Sequence, residues 1–260
     1  MKRNINILLI TLLLAFASCS FTTKTFDDSN DKDKLLIELI IHMLEQAHFE
    51  PKEMNDEFSS NVFQDYLNQL DPYKRYFYQS DIKEFSVFKT ELDDQLMAYE
   101  LTFFNLTHER LLTRIEESKE LYKEVLKTPF DFTLNEEFNT DYEQQNYVSS
   151  IKEMKERWRQ QLKFSAIAAY YDIINTQEAE ADRLLKIESM SEEEKENIVN
   201  SVRDNDFKVM NDTEMEINAR DRISNALNEL YSVIDDRQRK DWFAVFLNAV
   251  VVEFDPHTYY

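Results

Sequence analysis

From Leu35 to Ala47 the apolar residues fall at Leu35, Leu36, Leu39, Ile40, Met43, Leu44 and Ala47, returning to one side of a helix every three or four positions. Ile37 and Ile41 widen the stripe, so the pattern predicts a mostly buried helix that Phe49 and Pro51 end. A second stripe runs Phe58, Val62, Tyr66 and Leu70 and closes at Asp71, which the following Pro72 pushes away from helical backbone. Asp81 and Glu84 have the spacing of a capping box and open a helix expected to run to about Asp94. Another long pattern covers Tyr99 to Leu126 and stops before "TPFDF".

Thr133 and Glu136 give a further capping signal, and Phe138 to Glu188 reads as helix, centred on "MKERWRQQLKFSAIAAYY". Ser191 and Glu194 open a helix expected to reach about Asn205. A last segment from Asp212 to Glu253 carries Ile217, Leu227, Leu230, Ile234, Phe243, Phe246 and Val250, with a break expected near Asp235 and Asp236. No repeat of fixed period stands out, and no internal linker is evident. The expectation is an all-α, irregular array of seven to nine helices.

Composition sharpens that picture. The chain has 260 residues and no glycine, where an average chain of this length carries roughly 18. Without glycine the glycine-bearing forms of the P-loop, the dinucleotide fingerprint and the nucleophile elbow are excluded. Tight hairpins lose their usual turn residue as well. The 51 acidic residues outnumber 30 basic ones, and a net charge of -21 argues against a nucleic-acid partner, whose phosphates such a field repels. Nineteen Phe and 13 Tyr supply material for a substantial core.

The first 18 residues are set apart. Lys2 and Arg3 precede an apolar run from Ile5 to Ala17, a length suited to a signal peptide and short for a membrane span. The chain's one cysteine, Cys19, closes "FASC", which resembles a bacterial lipobox with Phe16 in place of the usual Leu. That resemblance implies cleavage between Ser18 and Cys19, lipid on Cys19, and an envelope protein facing the periplasm. Residues 19–33 are then expected to be a polar tether, and residues 34–254 the helical domain.

Candidate chemistry is sparse. His42 and His48 lie six apart and face different sides of a helix, while His108-Glu109 is followed by Leu112 where a zincin needs a second histidine. The pairs Asp93-Asp94 and Asp235-Asp236 diverge by about 100° on a helix and read as surface or capping groups. Trp158 and Trp242 sit in amphipathic patterns and read as core. The stretch "KRYFYQ" is the one candidate recognition loop. Neither a catalytic residue, a metal site nor a cofactor is called for.

Five segments in order carry a wider resemblance: "HFEPKEMNDEFSSNVFQDYLNQLDPYKRYFYQSDIKEF", "LDDQL", "FDFTLNEEF", "RWRQQLK" and "WFAVFLNAVVVEFDPHTYY". From about Leu35 to Tyr260 the chain resembles the N-terminal helical region of the carboxyl-terminal processing, or tail-specific, serine proteases of Gram-negative bacteria. The segments that carry it best are Leu70, Asp71, Pro72, Lys74, Arg75 and Phe77, then Asp255, Pro256, His257 and Thr258. In that family a PDZ domain and a Ser-Lys protease core follow, and protein substrates are gripped by their C-terminal tails. The resemblance implies that 255–260 begins a linker toward a PDZ domain lying beyond Tyr260. It makes this region a scaffold without catalytic residues of its own. A lipoprotein adaptor is a further candidate partner, and the alternative is a stand-alone helical lipoprotein that itself acts as an adaptor or interaction module.

Overall fold

The computed structural model describes residues 28–47, 53–192 and 209–254. Among them are eight α-helices and no strand. They are α1 Asp28–Ala47, α2 Asp56–Leu70, α3 Gln79–Phe85, α4 Leu92–Met97, α5 Thr102–Leu126, α6 Ile151–Glu188, α7 Asp212–Asp235 and α8 Arg239–Phe254. A 3₁₀ turn, Ser86–Phe88, lies between α3 and α4. The all-α expectation is met.

The caps show why the helices start where they do. The Asn55 side chain accepts from the N–H groups of Glu57 and Phe58 at 3.0 and 3.1 Å, satisfying two donors that have no partner within α2. Asn211 and Glu214 form a reciprocal box at the head of α7, both bonds 3.0 Å. At α6 the Ser150 hydroxyl accepts from Glu153 N, and the Glu153 carboxylate accepts from Ser149 N at 2.8 Å.

α8 is apolar almost all round, with Trp242, Phe243, Phe246, Leu247, Val250, Val251 and Phe254 all buried. That composition suits a helix enclosed on several sides, and α8 packs against α1, α2 and α5. Phe103 of α5 stands at the centre of an aromatic cluster, with ring centroids of Phe63, Tyr66, Phe85, Phe88 and Phe246 at 5.4, 5.7, 6.5, 6.0 and 6.3 Å. On the far side of α5 lie α6 and α7. Tyr122 and Tyr231 stack at 5.2 Å there, and the Ser118 and Tyr231 hydroxyls share a 2.6 Å hydrogen bond. α6 has 38 residues, about 57 Å at 1.5 Å per residue, and carries a second small core of Ile173, Met215 and Ala219 with α7.

Several expectations are corrected. α1 begins at Asp28, inside the stretch read as tether, and its Asp33 is buried against Arg239. Ile37, Ile40, Ile41 and Leu44 are buried in the core and Leu36 packs against it half-buried, while Leu35, Leu39 and Met43 face outward. α3 stops at Phe85, short of Asp94, because a 3₁₀ turn and a fresh helix start intervene before Leu92. The Thr133-Glu136 signal opens no helix: Thr133 turns back and donates its N–H and hydroxyl to Asp131 at 2.9 and 2.6 Å. Phe138 to Ser150 is likewise irregular, since the Ser149-Ser150 cap fixes the start of α6. In α7, Ile217 and Leu230 are exposed, and Met215, Ala219, Leu227 and Tyr231 take the buried face. The break at Asp235-Asp236 falls where expected. The helix expected from Ser191 to Asn205 lies largely outside the described residues.

Candidate functional site

α2 ends at Leu70, where Asp71 donates its N–H to Leu67 O at 3.0 Å and leaves helical backbone. The chain must then reverse without glycine. It does so at Lys74, whose φ of 51° is left-handed and uncommon for a side chain with a Cβ. Three hydrogen bonds hold that turn closed, all accepted by the buried Asp71 carboxylate. Arg75 N donates to Oδ1 at 2.8 Å, and Tyr76 N and Phe77 N donate to Oδ2 at 3.0 Å each. Burial pushes the Asp71 carboxyl up, while these three N–H groups and Lys74 pull against it.

Lys74 is 3% exposed, and its Nζ donates to Asn68 Oδ1 at 2.6 Å and to the Tyr147 hydroxyl at 3.1 Å. Desolvation lowers its ammonium pKa and Arg157 adds to that, against the attraction of Asp71. The Arg75 guanidinium lies over the rings of Tyr73, Trp158 and Tyr76 at 5.0, 5.0 and 5.6 Å. Arg75 Nε and Trp158 Nε1 are buried beside each other without a hydrogen-bond acceptor. Phe77 is fully buried, edge-on to Phe85 at 5.4 Å, whereas Pro72 is exposed.

The facing wall is α6. Arg157 donates to Lys74 O and Asn146 O, both at 2.7 Å, and Gln161 Nε2 donates to Tyr73 O at 2.9 Å. Arg157 and Gln161 are four residues apart, hence on one face of the helix. Downstream, Asp81 accepts from Tyr78 N at 2.9 Å and from both Arg110 and Arg114 of α5. Burial alone would raise the Asp81 carboxyl, but Arg114, Tyr78 N and Arg110 outweigh it and hold the group below its ordinary value. "KRYFYQ" is thus mostly inside the molecule.

Such an arrangement fixes backbone. The Asp71 oxygens are committed to backbone donors, and no serine, cysteine or histidine stands within the turn. A cavity of about 790 Å³ lies between the end of α5 and the start of α6, lined by Glu124, Lys127, Phe130, Lys152, Lys155 and Arg159 among others. It holds no histidine, cysteine or serine. Among the described residues no group of three His, Cys, Asp or Glu is placed to hold a metal ion. No described helix is long and apolar enough to cross a membrane.

A sequence model of the family described as the tail specific protease N-terminal domain matches residues 40–260. The chain belongs to this family. In this tail-specific protease N-terminal domain the match takes in the Leu70–Phe77 turn, its α6 wall and every helix from α2 onward. Of the motif residues, Leu70, Asp71, Lys74, Arg75 and Phe77 converge on one turn and Pro72 stands at its surface. Ser18, Cys19, Asp255, Pro256, His257 and Thr258 lie outside the described residues. Sequence reasoning missed Asn68, Asn146, Tyr147, Arg157 and Gln161 as partners of the turn. The signal lay in "RWRQQLK", which places Arg157, Trp158 and Gln161 at the spacing of one helix face.

Proposed function

We propose that this domain is the non-catalytic scaffold of a periplasmic tail-specific serine endopeptidase, tethered to the cell envelope through lipid on Cys19. Its task is to hold PDZ and Ser-Lys protease domains, and a protein substrate gripped by its C-terminal tail, in fixed relation. The observation that carries this reading is where the motif's polar groups go. Asp71, Arg157 and Gln161 all bond to backbone of the turn or its neighbours, and Lys74 bonds to Asn68 and Tyr147. Groups spent on backbone serve rigidity, and rigidity is what a scaffold supplies.

The test is direct. The purified chain is incubated with an unfolded protein, and the products are followed by mass spectrometry. No cleavage above background is expected. Hydrolysis that tracks the chain through purification and stops with a serine-directed acylating reagent overturns the reading. Lipidation is checked separately by labelling cells with an alkyne fatty acid, where a Cys19→Ser chain should carry no label.

A further inference from the structure

α1 is apolar on two opposite sides. Ile37, Ile40, Ile41 and Leu44 are buried against the body of the domain. Leu35, Leu39 and Met43, spaced four apart, form an outward stripe that is 65%, 54% and 56% exposed. Such a stripe on a helix surface is a docking face unless something covers it.

The helix has little freedom to hide that stripe by rolling. Arg239 Nε donates to the buried Asp33 at 3.1 Å, a second Arg239 nitrogen donates to Asn105 at 2.6 Å, and the guanidinium lies 4.6 Å over the Phe104 ring. This clamp ties the first turns of α1 to α5 and α8 and sets which side points outward.

Chain length bounds what the stripe can meet. Cys19 and Asp28 are nine residues apart, so a lipid on Cys19 keeps the start of α1 within about 32 Å of the membrane even with the connection fully extended. This helix is acidic like the rest of the chain, with Asp28, Asp31, Asp33, Glu38 and Glu45 against Lys32 and Lys34. Its exposed ionic residues between positions 31 and 38, Asp31, Lys32, Lys34 and Glu38, are two of each sign. An apolar stripe on a helix held near lipid has the makings of an interfacial helix.

We infer that the Leu35-Leu39-Met43 face of α1 rests on the lipid surface to which Cys19 tethers the chain, fixing the orientation of the domain above the membrane. This inference rests on the lipid anchor proposed above. The stripe enters the boundary between headgroups and acyl chains, while α8 and the rest of the body stay on the aqueous side.

The experiment imposes the tether chemically. A chain beginning at Cys19 is coupled through its thiol to maleimide-bearing lipid in phosphatidylcholine vesicles and exposed to hydroxyl radicals. Oxidation of Met43 and of Tyr171, which is 59% exposed on α6, is read by mass spectrometry. The reference is the same chain blocked at Cys19 and free in solution. Met43 should oxidise roughly threefold more slowly on vesicles, with Tyr171 unchanged, because lipid excludes the radical source from the stripe. Leu35→Gln with Leu39→Gln, both at exposed positions, should restore the solution rate at Met43. Equal Met43 rates on and off vesicles overturn the inference. So does protection that appears in solution and grows with protein concentration, which assigns the face to a second copy. Because the anchor is supplied, such a failure leaves the lipidation of Cys19 to its own labelling test.

Discussion

Removing the Asp71 carboxylate should be among the more damaging single changes in this chain. In Asp71→Ala, Tyr76 N and Phe77 N lose their acceptor in a buried setting, at about 1–3 kcal/mol each, and Arg75 N loses one where water has partial access. Relief from burying a charge offsets part of this, since burial already pushes the carboxyl up. The net expectation is about 3 kcal/mol. Asp71→Asn should cost less, about 1–2 kcal/mol. Its amide oxygen can take the place of Oδ2 and serve Tyr76 and Phe77, while its amide nitrogen opposes Arg75 N. Urea unfolding followed by tryptophan fluorescence suits the test, because Trp158 lies against Arg75 within the turn. With a slope of about 3 kcal/mol/M for a chain of this size, Asp71→Ala should lower the midpoint by about 1 M. A midpoint within about 0.3 M of the parent, or Asn as damaging as Ala, refutes the account of the turn.

Other outcomes follow from the packing and the ion pairs. Phe103→Ala, at the centre of five aromatic neighbours, should cost about 3–5 kcal/mol in the same assay, and Phe103→Leu clearly less. Asp81 is held below its ordinary pKa when folded, so its contribution is present above the unfolded value near 3.8 and is lost as pH falls through the folded one. Asp81→Asn should therefore be less stable than the parent at pH 7, with the difference starting to shrink only below about pH 4, read from urea midpoints across pH. Glu136, drawn down to about 2 by Arg159 and then Lys163, follows the same sign between its unfolded 4.5 and that value. Glu136→Gln should loosen the 127–150 connection from α6, costing about 1 kcal/mol and speeding limited proteolysis there about fivefold; an unchanged nicking rate would rule out that clasp.

The periodic stripes of α2, α5 and α8 were legible because a long amphipathic helix repeats its signal many times. The irregular 127–150 connection was not. Thr133 and Glu136 have capping spacing, but Thr133 bonds Asp131 and Glu136 reaches Arg159 and Lys163, partners far along the chain. The turn shows the same division. Asp71 before Pro72 announced the end of α2, yet that its carboxylate would gather three N–H groups depends on where the backbone goes next.

Sequence alone determined the helical class, the aromatic core, the break at Asp235-Asp236 and the family resemblance, since each is written in local spacing or residue type. Only tertiary structure decided which of two apolar sides of α1 is inside. Leu35 and Ile37 are equally apolar in sequence, and the choice between them is made by α8 packing and the Asp33-Arg239 clamp, 206 residues apart. A contact across that separation leaves no mark in a local pattern.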